Sequence, residues 1–170
     1  VLAGLDTVTS ALAFSFAYLA RHTDQRRLLV EEPSLIPSAV EELLRVGTPA
    51  PALVRTATRD LELAGVSIRK GEGIFCHLGA AKGDPASRPD AEIMDFRRRE
   101  NRHVTFGAGI HRCVGSHLAR LEVRLVVEEF HRRIPDYELA PGSDLVRVPH
   151  FEGLDNLRIV FPVRAEPAGQ

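Results

Sequence analysis

The chain has 170 residues, 44% hydrophobic and 26% charged, and its 22 Lys and Arg stand against 23 Asp and Glu for a formal net charge of −1. Such values belong to ordinary globular proteins, and nothing in them points to nucleic acid or to disorder. Cys76 and Cys113 are the two cysteines; far apart and without a partner set, they speak against a disulfide framework or a four-cysteine zinc site and suit a reducing cytoplasm.

Val1, Leu5, Val8, Leu12, Phe16 and Leu19 recur at steps of three and four, which predicts a helix over residues 1–20, with Ala3, Thr7, Ser10 and Phe14 on a neighbouring face. The stretch is about long enough to cross a bilayer. Asp6, Thr7, Thr9, Ser10 and Ser15 make a buried helix of a soluble protein the better reading, with no membrane span. The chain starts without Met and without a cap ahead of this helix, so it reads as a fragment, a single partial domain over 1–170 with no visible signal peptide. A second helix is expected over 24–32, ended by Pro33. A third starts near Ser34 or Pro37 and runs to Val46, with Gly47 and Pro49 as stop signals.

From Leu53 to Leu78 the period moves towards two, with short runs at 61–63, 66–68 and 74–75 broken by Gly65 and by Lys70-Gly71, which predicts short strands and tight turns. Residues 79–103 are polar and aperiodic, longer than most connections inside a compact domain, and so are expected to be functional or tightly docked. A long helix is expected over 115–133. Val114, Leu118, Leu121 and Leu125 form one apolar line and Ala119, Val123, Val126 and Phe130 another, which predicts burial on two sides. Pro135 ends it, and the tail reads as strands and loops, with Leu157, Ile159 and Phe161 alternating. The expected fold class is mainly α with small β-sheets.

Chemistry concentrates in Phe106-Gly107-Ala108-Gly109-Ile110-His111-Arg112-Cys113-Val114-Gly115, directly before the long helix. Its glycines allow a tight loop whose backbone can approach a flat group. Cys113 stands at the start of the helix, where the macrodipole and free amide N–H groups favour an anion. Glu42 and Arg45 are spaced i,i+3 on one helix face, while Glu41 and Arg45 at i,i+4 would equally make an ordinary surface pair. Ala3-Gly4-Leu5-Asp6-Thr7 sets a small residue beside an acid and an alcohol. Thr7 could bond a backbone carbonyl one turn earlier and open the helix locally.

The cysteine segment matches, position for position, the haem-binding loop Phe-x-x-Gly-x-His/Arg-x-Cys-x-Gly, and the chain resembles the cytochrome P450 family, bacterial soluble type, C-terminal portion. Two further motifs follow in the family's order: Glu42-x-x-Arg45, joined in the family by a meander arginine for which Arg98 stands in the expected place, and Ala3-Gly4-x-Asp6-Thr7 of the central helix. The resemblance implies haem b as cofactor, held between the first and the long helix, with Cys113 as the iron ligand and Ala3, Gly4, Phe106, Gly107 and Gly115 around the group. It implies that Arg55 or His111 bonds a propionate, and that Asp6 and Thr7 relay protons. Glu42, Arg45 and Arg98 would hold the fold around the loop. Ala50, Pro51, Leu53 and Val54, with the turn at Gly153-Leu154, would lie near the substrate, although core packing serves these residues equally well. Met94 replaces the usual Phe of the meander at little cost. Lys82-Gly83-Asp84-Pro85 replaces the more usual Asn-Arg-Asp-Pro, which removes a guanidinium from that turn.

The implied activity is insertion of one oxygen atom from O2 into a small organic substrate in the cytoplasm. Electrons would come from a ferredoxin and its ferredoxin reductase or a similar donor. Residues 97–133 carry nine Arg against four Glu, a local charge of +5 that suits docking of an acidic donor and equally suits a solvated helix surface. Rival readings are a non-hydroxylating haem-thiolate isomerase or dehydratase, against which Asp6 and Thr7 argue, and a non-catalytic haem-binding fragment. A cysteine hydrolase using Cys113 and His111 lacks an orienting third group. Apolar residues near the expected pocket do not choose a substrate.

Overall fold

The computed structural model describes residues 2–86, 89–143, 146–147 and 154–162, with the backbone alone for residues 2, 3, 146, 147, 154 and 155. Five helices and eight short strands follow one another in these residues. Helix α1 spans Leu2–Arg21, α2 Thr23–Glu31 and α3 Ile36–Val46, with a 3-10 turn at Pro33–Leu35 leading into α3. Strands β1 (Ala52–Thr56), β2 (Leu61–Leu63), β3 (Val66–Ile68) and β4 (Gly73–His77) come next, then a one-turn helix α4, Leu78–Ala81. Helix α5 spans Ser116–Arg133, and β5 (Glu138–Leu139), β6 (Val146–Arg147), β7 (Leu154–Asp155) and β8 (Ile159–Val160) complete the order. All sheets are antiparallel pairs: β1 with β4, β2 with β3, β5 with β8 and β6 with β7. No helix of the described residues is long and apolar enough to cross a membrane.

The expected helices stand within two residues of their bounds, because the apolar stripes that predict them also build the core. Phe16 and Leu19 of α1, Leu29 of α2, Val40 and Leu43 of α3, and Val123 and Val127 of α5 are buried against one another. Gly47 ends α3 for a steric reason. A Cβ there would lie 2.1 Å from the ring of Phe14, so only glycine lets α1 and the end of α3 approach this closely. Three expectations need correction. The line Val114, Leu118, Leu121 and Leu125 is exposed, Leu118 at 59%, because no described element packs on that side of α5; burial is one-sided. Helix α1 runs unbroken through Thr7. A hydroxyl can share a carbonyl with the helical amide without displacing it, as Ser15 does in bonding the Ala11 carbonyl at 2.7 Å. The aperiodic stretch begins with α4, whose start is capped by His77 Nδ1, which accepts the Ala80 amide at 2.9 Å.

Where α5 meets the tail, a buried aromatic cluster closes the core. Phe130 lies 4.7 Å from Phe16 and 5.3 Å from Tyr137 between ring centroids, and the Arg26 guanidinium covers Tyr137 at 4.7 Å. His131 stacks on Tyr137 at 5.8 Å and shares a hydrogen bond of 3.1 Å with its hydroxyl. Burial, with the Arg26 charge beside it, lowers His131 to about 4. The unfolded ring titrates near its ordinary 6.5, so the fold keeps its full stability above that pH and loses it as pH falls from 6.5 to about 4. Urea titrations across this window are expected to show a loss of about 3 kcal/mol, absent in His131→Phe. An unchanged pH slope in that variant would place the acid sensitivity elsewhere.

Candidate functional site

The cysteine loop takes its shape from two glycines with left-handed backbones, Gly107 at φ +69° and Gly109 at φ +71°, a region that side chains with a Cβ rarely adopt. Three amides close it. Gly107 donates to Val104 O at 2.8 Å, Arg112 to Gly109 O at 3.1 Å, and Cys113 to Phe106 O at 2.9 Å. Gly115 caps α5, so Cys113 sits two residues ahead of the cap, in the turn leading into the helix. The Cys113 thiol is free and exposed. It opens into a cleft of about 520 Å³, within the ~300–1,000 Å³ usual for small-molecule and cofactor sites.

One wall of the cleft is α1, through Gly4, Thr7 and Val8; the other is α5, through Leu118, Ala119 and Glu122. The loop contributes Phe106, Gly107, His111, Cys113 and Gly115, and the segment entering β1 contributes Ala50 and Leu53. Among the other candidates, Asp6 is exposed and does not line the cleft, so the alcohol of the expected pair reaches the wall without its acid. Pro51 lies outside the lining and accepts the Gly79 amide at 2.9 Å. Val54, paired with Phe75 across the β1–β4 ladder, is 61% exposed. Arg55 shares Leu53's face of β1 one pleat further on; it is exposed, and its guanidinium bonds the Val54 carbonyl at 3.0 Å. The side chains of Ala3 and Leu154, and all of Gly153, lie outside the described residues.

Glu42, Arg45 and Arg98 do meet. Arg45 donates to both oxygens of Glu42 at 2.9 Å, and Arg98 Nε lies 3.1 Å from Glu42 Oε1. The Asp95 amide adds a bond to Oε2 at 3.1 Å. Burial pushes the Glu42 carboxyl up, but the bonds from Arg45 and Asp95 and the charges of both arginines outweigh it and hold the group below its ordinary value. The remaining donors of Arg45 bond the carbonyls of Lys82, Ala91 and Ile93 at 3.0, 2.6 and 3.1 Å, so the aperiodic stretch is docked on α3. In the turn that lacks the family's arginine, the Lys82 ammonium bonds the carbonyl of Val46 instead.

Sequence reasoning missed a second set. Glu41 does not pair with Arg45; it faces α5, where Arg120 bonds it at 2.6 and 3.0 Å, and it lies 3.0 Å from His103 Nε2. Burial raises this carboxyl, but the bonds from His103 and Arg120 outweigh it and bring the group down to about 2. Leu44, Leu78 and Glu122 also line the cleft from three separate elements, with no local pattern to mark them. Of the nine arginines over 97–133, six pair with carboxylates: Arg97, Arg98, Arg120, Arg124, Arg132 and Arg133. Arg99, Arg102 and Arg112 are exposed, with no carboxylate partner among the described residues.

The family model described as Cytochrome P450 matches residues 1–141. Among curated relatives, the chain is 38% identical over 162 residues to a probable cytochrome P450 127A1 of Sinorhizobium fredii, covering 95% of this chain and 39% of that protein. It is 39% identical over 161 residues to the biotin biosynthesis cytochrome P450 of Bacillus subtilis, covering 94% and 41%. Among solved structures, P450BioI in complex with a ligated acyl carrier protein superposes with a TM-score of 0.89 at 36% identity, covering 95% of this chain and 42% of that one. CYP109E1 from Bacillus megaterium with testosterone gives 0.90 at 32%, covering 95% and 46%. The chain belongs to the cytochrome P450 family, and its helices and small antiparallel sheets are those of that fold. It spans about two fifths of the length of the curated relatives it matches.

The family implies haem b, and the cleft fits that group. An exposed thiol, the donor a haem-thiolate protein needs, opens between two largely apolar walls. At Gly4 a Cβ would meet nothing within 4 Å, so the α1 wall leaves open space there. The buried ion pair behind the loop gives a stability prediction. Arg45→Leu strands a fully buried carboxylate and three carbonyls, and a loss of about 3–5 kcal/mol is expected from urea unfolding. Arg97→Leu, which breaks an exposed pair with Glu32, should hardly move the midpoint. Equal shifts in the two variants would contradict the difference in burial.

Proposed function

We propose that the protein carrying this chain is a haem-thiolate monooxygenase that inserts one oxygen atom of O2 into a small organic substrate, with Cys113 as the iron ligand. The reading rests above all on one observation: the thiol of the loop is exposed into the cleft between α1 and α5. Bound through a thiolate, haem supplies the activation of O2. The remaining roles fall to the chain's own residues. Cys113 holds the iron, and Phe106, Gly107 and Gly115 keep the loop backbone close to the group. Gly4, with Ala3 beside it, keeps the opposite wall low. His111, which lines the cleft, and Arg55, on the face of β1 that carries Leu53, bind the propionates; a guanidinium suits a carboxylate in two-point contact.

Thr7, half-buried on the α1 wall, holds a proton or a water at its hydroxyl, and Asp6, exposed one residue earlier, exchanges protons with solvent. Ala50 and Leu53 form the substrate side of the cleft. Glu42, Arg45 and Arg98 keep the meander docked behind the loop. The electron donor is an acidic ferredoxin served by a ferredoxin reductase. It is steered by Arg99, Arg102 and Arg112, the arginines left unpaired near the cysteine loop. Cys76 and Cys113 are both free thiols, which suits a cytoplasmic protein.

The test is the optical spectrum of the intact protein, reduced with dithionite and exposed to carbon monoxide, beside Cys113→Ser. A thiolate-type red-shifted Soret band that disappears in the variant is the expected outcome; no haem, or a band indifferent to the change, defeats the reading. For the donor, Arg112→Glu should slow reduction by the ferredoxin roughly tenfold at low salt and flatten its ionic-strength dependence. Stopped-flow reduction at several salt concentrations measures both, and unaltered salt dependence would remove Arg112 from the docking face.

A further inference from the structure

Phe106 opens the cysteine loop, and its carbonyl takes the Cys113 amide at 2.9 Å, so whatever fixes Phe106 also fixes the cysteine backbone. The guanidinium of Arg120 lies 4.4 Å from the centre of the Phe106 ring. Arg120 is itself held by both oxygens of Glu41, at 2.6 and 3.0 Å, and bonds the Ser116 carbonyl at 3.3 Å in the first turn of α5. His103 grips the same carboxylate. The Thr105 amide donates to His103 Nδ1 at 3.3 Å, which makes that nitrogen the acceptor and leaves Nε2 to carry the proton it donates to Glu41 at 3.0 Å. The His103 ring stands 6.0 Å from that of Phe106, and Thr105 Oγ1 bonds the Leu44 carbonyl of α3 at 3.0 Å. A continuous path of contacts therefore runs from Glu41 on α3 through Arg120 and His103 to Phe106 and on to Cys113.

We propose that Glu41, acting through Arg120 and His103, is a positioning residue for the cysteine loop, holding the Phe106 ring and carbonyl so that the Cys113 sulfur faces the cleft in one orientation. Glu41 and Arg120 are 26% and 27% exposed, a part-buried pair, so a positioning role is told from general stabilisation by where the loss of the pair is felt. What a two-point pair adds is direction. Direction is what this loop requires, since two left-handed glycines give it freedom that no regular ladder removes. The consequence at iron rests on the haem-thiolate reading; the contact path itself does not.

The experiment compares the intact protein with Glu41→Gln, Arg120→Met, the double variant and Glu129→Gln, the last removing an exposed carboxylate from the far end of α5. Hydrogen exchange of the Cys113 amide is the first readout. Each single variant is expected to exchange this amide roughly tenfold faster, with the double variant no faster than either single one, while amides of the α1 core keep their rates. The second readout is the carbon-monoxide spectrum of the haem-loaded protein, where the share of thiolate-type band should fall in the same variants and stay whole in Glu129→Gln. Should Arg120→Met fail to fold, Arg120→Lys keeps the charge and loses the second prong, and a smaller acceleration of the same amide is expected. Unaltered Cys113 exchange in the Glu41 and Arg120 variants overturns the proposal, as does an equal acceleration in Glu129→Gln or across the α1 core. A wild-type protein lacking the thiolate-type band defeats the haem-thiolate reading, and the exchange rates then decide the positioning role by themselves.

Discussion

A fully buried carboxylate, Glu42, organises this structure, because a charge with no access to water must be saturated by donors and those donors must be held in place. Arg45 supplies two of them from one turn along α3 and the Asp95 amide a third from the meander, where the Arg98 guanidinium adds its charge 3.1 Å from Oε1. Arg45 has further donors, and they go to carbonyls of Lys82, Ala91 and Ile93, in a stretch with little regular structure to satisfy its own backbone. Apolar residues of the same volume could fill that space and match the pair in stability, yet they could not bond those carbonyls. The ion pair thus fixes where an irregular segment lies, which a greasy contact would leave undetermined.

Two neighbouring carboxylates on α3 divide this labour. Successive helical residues point about 100° apart, so Glu42 meets the meander while Glu41 meets α5 and the residues leading into the cysteine loop. Between them, Val40, Leu43 and Leu44 bury α3 in the core. The cleft wall on α5, the loop carrying Cys113 and the docked meander are all referred to one helix. Leu44 lines the cleft, and its carbonyl accepts Thr105 Oγ1. On the reading proposed for the protein, the position of the iron ligand relative to the α1 wall is a property of α3 packing as much as of the loop's own sequence.

The helices and the loop were legible in the sequence for different reasons. Apolar spacing specifies α1, α3 and α5 because the residues that repeat are those that pack, and the cysteine loop is marked by glycines placed where φ is positive. What periodicity does not carry is the identity of the covering layer, hence the exposed line of Leu118, Leu121 and Leu125. The i,i+4 rule left Glu41 with Arg45 as an alternative pair because it knows only local neighbours; Arg120, 79 positions away, makes the two-point contact instead, and Arg45 is engaged by both oxygens of Glu42. Capping rules favour Ser, Thr, Asp and Asn, so a helix started by a histidine ring nitrogen at His77 leaves no sequence signal. The cleft draws Thr7, Leu44, Leu78 and Glu122 from four elements, and only tertiary packing brings them together.

Charge gives the sharpest contrast between composition and structure. Counted along residues 97–133, the arginines make a broad basic segment, but six of the nine are engaged with carboxylates on the same or neighbouring elements. A paired arginine projects little field beyond a Debye length of about 10 Å at 0.1 M salt. Within that segment the charge left uncompensated is that of Arg99, Arg102 and Arg112, exposed and with no carboxylate partner among the described residues, and Arg112 is the residue next to Cys113. On the reading proposed for the protein, an acidic donor would therefore meet uncompensated positive charge at the residue beside the iron ligand rather than along the whole segment.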